Sequence, residues 1–205
     1  MSTTAAPAGT DRSDFRTVTV GGAALGGITA GAVGLFLAAS RLVPDTGGLR
    51  GGVEALIVLV AGVAASLLPA QWSRARQVEG IAGAAAMGLV GTIVFMAIDI
   101  VVFRPLKAYP WTWDAIGGGS TWWYLPVWWM LGTFLAWMGG IVTARDAARA
   151  EATLARRALP VVVGTVLAVM IARLAGVAWT LPVTTGLAFT TVLALLAVVA
   201  LARKG

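Results

Sequence analysis

The chain has 205 residues, of which 59% are apolar and only 12% charged, with a formal net charge of +6. A soluble domain carries about 25% charged residues, and several apolar runs here exceed the roughly 18 residues that mark a membrane span. Cysteine and histidine are both missing, which excludes disulfides, thiolate chemistry, histidine-ligated metal or haem and the usual general base.

These bounds predict an all-α polytopic transmembrane bundle of six spans, with both termini cytoplasmic. Residues 1–16 read as a disordered cytoplasmic tail, small and polar with mixed charge. Residues 17–205 read as a single six-helix transmembrane domain.

The first span is predicted over 17–41. Gly22 and Gly26 are four apart, as are Gly27 and Gly31, so two small-xxx-small patterns lie side by side and let helix backbones approach closely. Intramolecular packing is the simpler use of that face, and dimerisation the sharper one. A cleavable signal peptide is disfavoured, because the apolar region is too long and acidic residues precede it.

A Pro, Asp and Gly-rich turn over 42–51 leads to the second span at 52–71. A short loop with Arg74 and Arg76 leads to the third at 80–103. A long tryptophan-rich connection follows, and Pro126 suits the first turn of a fourth span reaching Thr143. Residues 144–158 hold four arginines among helix formers and are expected to extend the helices on either side. The fifth and sixth spans are predicted at 159–178 and 183–202, joined by a WTLP turn.

Orientation follows from charge. With the N-terminus inside, ten Lys and Arg residues fall on inner segments and four on outer ones, a positive-inside bias. The basic residues orient a membrane protein and form no nucleic-acid stripe. No repeat relates the two three-helix halves, so an inverted-repeat transporter has no support here. Composition suggests a bacterium, hence a multi-pass protein of the bacterial cytoplasmic (inner) membrane.

Two sets of residues could carry function. Glu54, Asp99 and Arg173 are ionisable and lie within spans, in the outer part of the membrane on this topology. Glu54 is favoured by a helix N-terminus and Arg173 by a helix C-terminus. Asp99 is short, opposed by the dipole and most in need of a partner. Gly88, Thr92 and Phe95 share its helix face, so it is expected to point inward. Arg173 is its expected partner by depth and sign, either as a buried ion pair that fixes helix register or as part of a polar pocket.

The second set is aromatic. The stretch from Phe103 to Gly140 holds seven of the nine tryptophans. Trp111, Trp113, Trp122, Trp123, Trp128 and Trp129 form an outer interfacial segment, as an aromatic belt or as a surface that docks a partner or stacks on a ligand. The RPLKAYPW run is superficially similar to a loop of the Trp-rich five-span sensory proteins that bind tetrapyrroles. The span count differs, so no family is assigned.

No catalytic residue, metal ligand or cofactor is assigned. The expected partners are the lipid bilayer and either other membrane subunits or further copies of the chain, not nucleic acid. The leading expectation is a non-catalytic accessory or structural subunit. A small-solute transporter or substrate-binding component is the alternative, and a lipid-modifying enzyme ranks last.

Overall fold

The computed structural model describes residues 11–108, 124–147 and 153–203. The regular elements among them are all helical: α1 (Phe15–Leu42), α2 (Leu49–Trp72), α3 (Val78–Ile98), α4 (Tyr124–Ala147), α5 (Leu154–Leu174) and α6 (Leu181–Ala202). A π-helical turn, Asp99–Phe103, continues α3. Six helices are long and apolar enough to cross a membrane, so the chain is a multi-pass helical membrane protein by length and composition. The start of α1 and the end of α6 lie at the same end of the bundle as the α2–α3 turn, where Arg12 N–H donates to the Ser73 carbonyl. The α1–α2 and α5–α6 turns lie at the opposite end.

A helix in lipid must satisfy its own backbone, and its buried hydroxyls need partners too. Thr92, Thr143 and Thr165 donate to the carbonyls of Gly88 (2.9 Å), Gly139 (2.8 Å) and Val161 (2.7 Å), each four residues earlier. These three hydroxyl protons are thus used within their own helices and make no hydrogen bond between helices.

The centre of the bundle is α2, α3 and α4 packed on one another. Helix α1 lies against α3 and α2, α6 lies against α2 and α4, and α5 sits outermost, mainly on α6. Small residues set these approaches. A Cβ added at Gly26 would fall 2.7 Å from the Gly91 carbonyl oxygen on α3, and one at Gly22 would fall 2.5 Å from Val90 Cβ. On α4, a Cβ at Gly132 would overlap the Thr92 hydroxyl, and one at Gly139 would overlap the backbone of Ser66 on α2. Larger side chains fill the space between: Met138, Ile141, Val161, Phe189 and Leu193 form one cluster, and Ala30, Phe95 and Met96 another.

The two glycine pairs of α1 separate. Gly22 and Gly26 are buried on α3, whereas Gly27 and Gly31 are exposed, with nothing within 4 Å of an added Cβ. Intramolecular packing therefore accounts for the first pair only.

Element ends depart from expectation for local reasons. Helix α1 begins at Phe15, because Asp14 caps it by accepting from the Thr17 N–H at 3.0 Å. Residues 11–14, expected within the disordered tail, instead dock on α3. Asp11 accepts from the backbone N–H groups of Gln77 (2.7 Å), Gly80 (3.0 Å) and Arg76 (3.2 Å), and Arg12 N–H donates to the Ser73 carbonyl at 2.7 Å. Helix α5 begins at Leu154, within the arginine-bearing segment expected to extend it, but ends at Leu174 and not at 178. Gly176, at φ +80°, closes it in a Schellman arrangement, with Val177 N–H on Ala172 O and Gly176 N–H on Arg173 O.

Candidate functional site

The opposite end of the bundle holds the buried carboxylate. Helix α3 turns its Gly88, Thr92 and Phe95 stripe into the bundle, and Asp99 continues that stripe with no exposed surface. Here the helix widens. Arg104 N–H donates to the Asp99 carbonyl at 2.9 Å, a bond spanning five residues. In an α-helix, residues five apart point about 140° away from each other. The π-helical turn reduces that divergence and brings Arg104 round to the same side. Its Nε donates to Asp99 Oδ2 at 3.3 Å, a salt bridge whose arginine keeps 34% of its side chain exposed.

Arg173 does not join this pair. Its Nη1 donates to the Val177 carbonyl at 3.3 Å, in the exposed last turn of α5. Helix α5 is on the periphery and packs chiefly against α6. Depth and sign matched Arg173 to Asp99, but lateral position did not. The signal that could have found Arg104 is its closeness in sequence, masked by the assumption of regular α-helical spacing.

Glu54 belongs to a different contact. Ser40 Oγ, near the end of α1, donates to Glu54 Oε1 at 2.7 Å and ties α1 to α2. At the end of α1, Arg41 Nη2 donates to the Ala108 carbonyl at 2.7 Å and clamps the chain just after α3. That segment closes on Lys107 at φ +49°, with Ala108 N–H on Phe103 O and Lys107 N–H on Arg104 O. Sequence reasoning missed Arg41, Arg104 and Lys107 as structural residues and counted them only as orientation charges.

Of the aromatic set, Trp128 and Trp129 are described, and Trp111, Trp113, Trp122 and Trp123 lie outside the described residues. Trp128 is half-buried, and its ring meets Phe95 at a centroid distance of 5.9 Å and a tilt of 59°, a favourable aromatic arrangement. It packs on the cluster of Ala30, Phe95 and Met96, and Phe103 packs there too. Trp129 faces outward and is 39% exposed.

Between α1, α2, α3 and α4 lies a cavity of about 80 Å³, with Thr29, Gly88, Thr92 and Trp128 in its wall. Drug-sized ligand sites run to about 300–1,000 Å³. Among the described residues no three acidic side chains gather in a metal-binding group.

Compared with protein-family models, curated proteins and solved structures, the chain gives no significant match to any of them.

Proposed function

We propose that the chain is a non-catalytic, membrane-embedded accessory or structural subunit that docks a partner through its Trp-rich outer face. The observation that carries this reading is the close packing of the central helices around a cavity of about 80 Å³, well below the size of a solute site. The same end is held by the Arg41 and Arg104 contacts, and Trp129 is turned outward from it. A stiff end bearing amphipathic indoles suits a docking surface. The surrounding solvent in this reading is a bacterial cytoplasmic membrane.

A photocrosslinking residue substituted for Trp129 tests the reading in native membranes. A discrete protein adduct that is lost when neighbouring Trp128 is changed to Ala supports it. Only lipid adducts, together with a homogeneous monomer in mild detergent, would overturn it.

A second reading, solute handling at Asp99, draws support from the π-helical turn, because such turns recur at functional sites. It requires that Asp99→Asn abolish uptake or ligand-induced stabilisation while the fold persists. Arg173, the other member of the expected pocket, would enter this reading only if Arg173→Gln had the same effect.

A further inference from the structure

The end of the bundle that holds the α2–α3 turn has a cleft that the proposed docking function does not use. It opens between the first turns of α1 and the last turn of α2, with a volume of about 820 Å³. Arg12, Arg16 and Arg74 line it, together with Trp72, Val20 and Ala24. The three guanidiniums make no ion pair and donate no hydrogen bond among the described residues. The one carboxylate in the wall, Asp14, is engaged by the Thr17 N–H at 3.0 Å and the Thr17 hydroxyl at 2.6 Å. Those bonds, and the nearby Arg12 charge, favour the ionised form of Asp14, so the wall sets three cations against one anion and is net cationic.

Arg74 reaches it from an unusual backbone. It closes α2 at φ +50°, with Ala75 N–H on Ala70 O and Arg74 N–H on Gln71 O. That is the seat glycine occupies without strain in a Schellman motif. A strained backbone that carries a guanidinium into a cationic cleft fits a role for the side chain.

Below the arginines the wall becomes apolar and continues along α1. Val20, Ala24, Gly27 and Gly31 follow at spacings of four, three and four residues, so they share one helix face. All four are exposed, and an added Cβ at Gly27 or Gly31 would meet nothing within 4 Å. From Val20 to Gly31 the lane runs about 16 Å. One leaflet of a hydrocarbon core is about 15 Å deep.

We propose that this cleft binds an anionic glycerophospholipid. Its phosphate sits among Arg12, Arg16 and Arg74, and one acyl chain lies along Val20, Ala24, Gly27 and Gly31. Arginine forks match phosphate oxygens in geometry and charge. Free inorganic phosphate offers the same headgroup chemistry, and the leaflet-length lane selects the lipid.

The test uses the full chain purified in neutral detergent. Phosphatidylglycerol, phosphatidylcholine and inorganic phosphate are titrated separately, with retained mass and thermal unfolding as readouts. The expected result is preferential retention of one phosphatidylglycerol, with a rise in melting temperature that phosphatidylcholine and phosphate do not reproduce. Changing all three arginines to Gln should weaken retention by roughly a hundredfold, at roughly fivefold for each charge at an anionic surface.

Arg74→Gly guards against simple misfolding. It relieves the left-handed backbone, so the lipid-free protein should melt no lower, while phosphatidylglycerol retention falls roughly fivefold. Gly27→Leu with Gly31→Leu should block the lane and weaken lipid retention. Equal retention of the two lipids would overturn the proposal. So would a phosphate response as strong as that of phosphatidylglycerol. A third overturning result is a glycine double variant that converts a dimer to a monomer with lipid retention unchanged, which would assign the lane to a second copy of the chain.

Discussion

Asp99 and Arg104 form an asymmetric pair, because the carboxylate is wholly buried while the arginine keeps a third of its side chain exposed. The two single removals should therefore differ. Arg104→Gln takes a cation from a buried carboxylate and should cost about 3 kcal/mol. Asp99→Asn leaves an arginine that can extend toward the interface, so it should cost less, about 1–2 kcal/mol. Arg173→Gln should lie within about 0.5 kcal/mol of the unaltered chain, because its contact is a single exposed bond to its own helix end. Thermal or denaturant unfolding in micelles reads all three. An Arg173 variant as damaged as the Arg104 variant would contradict this assignment of partners.

Asp99 itself was legible from sequence, as a short charge facing the wrong end of a helix dipole. Its partner was not, because the π-helical turn that swings Arg104 into place has no residue signature of its own. Asp14 is a milder case. The Thr17 hydroxyl and backbone N–H hold its carboxyl below the usual aspartate value. A depressed carboxyl contributes stability above its unfolded pKa and loses it as pH falls through the folded one. The capping contribution should therefore be full above about pH 4 and be lost as pH falls from there through the lower folded value, and Asp14→Asn should remove that acid limb from the unfolding profile.

Helix cores follow from apolar length, but helix ends follow from single contacts that sequence patterning handles poorly. Asp11 is remote in sequence from the α3 N–H groups it caps, and its own segment has a composition that reads as tail. Asp11→Ala should cost about 1–2 kcal/mol, as for other lost N-caps, and should raise proteolysis before Phe15. Arg74 and Lys107 occupy positions for which glycine is the usual signal, yet the ends expected at 71 and 103 match those observed, Trp72 and Phe103, to within one residue. Gly176 closes α5 with the expected residue, yet the run of apolar residues beyond it suggested a longer helix.

The glycines make the same point about packing. Spacing identified Gly22, Gly26, Gly27 and Gly31 equally, but only the fold distinguishes the pair on α3 from the pair that faces outward. Gly139→Ala should destabilise by about 2 kcal/mol, since its Cβ would collide with α2 backbone that cannot rotate away. Gly27→Ala should be neutral or stabilising, because the added methyl meets nothing and alanine favours the helix. If both alanine variants unfolded alike, the assignment of packed and open faces along α1 and α4 would be wrong.

Across the whole molecule, the number and order of spanning helices were legible because lipid leaves few alternatives: each segment must be apolar, long and internally hydrogen-bonded. The lateral arrangement was not legible, since nearly every helix face is apolar and the small residues that choose neighbours are scattered through all six. This is why α5, whose apolar content resembles the others, gave no sign in sequence of lying at the edge. Orientation across the membrane rests on charge asymmetry alone, and it can be tested cleanly because the chain has no native cysteine. Thr46→Cys and Thr180→Cys place single thiols in exposed turns at one end, and Gln77→Cys places one in an exposed turn at the other. If both termini are cytoplasmic, a membrane-impermeant maleimide on intact cells should label positions 46 and 180 and spare 77 until the membrane is permeabilised. The reverse pattern would invert the molecule. The Asp99 end and its tryptophans would then face the cytoplasm, and the arginine cleft would meet the outer leaflet.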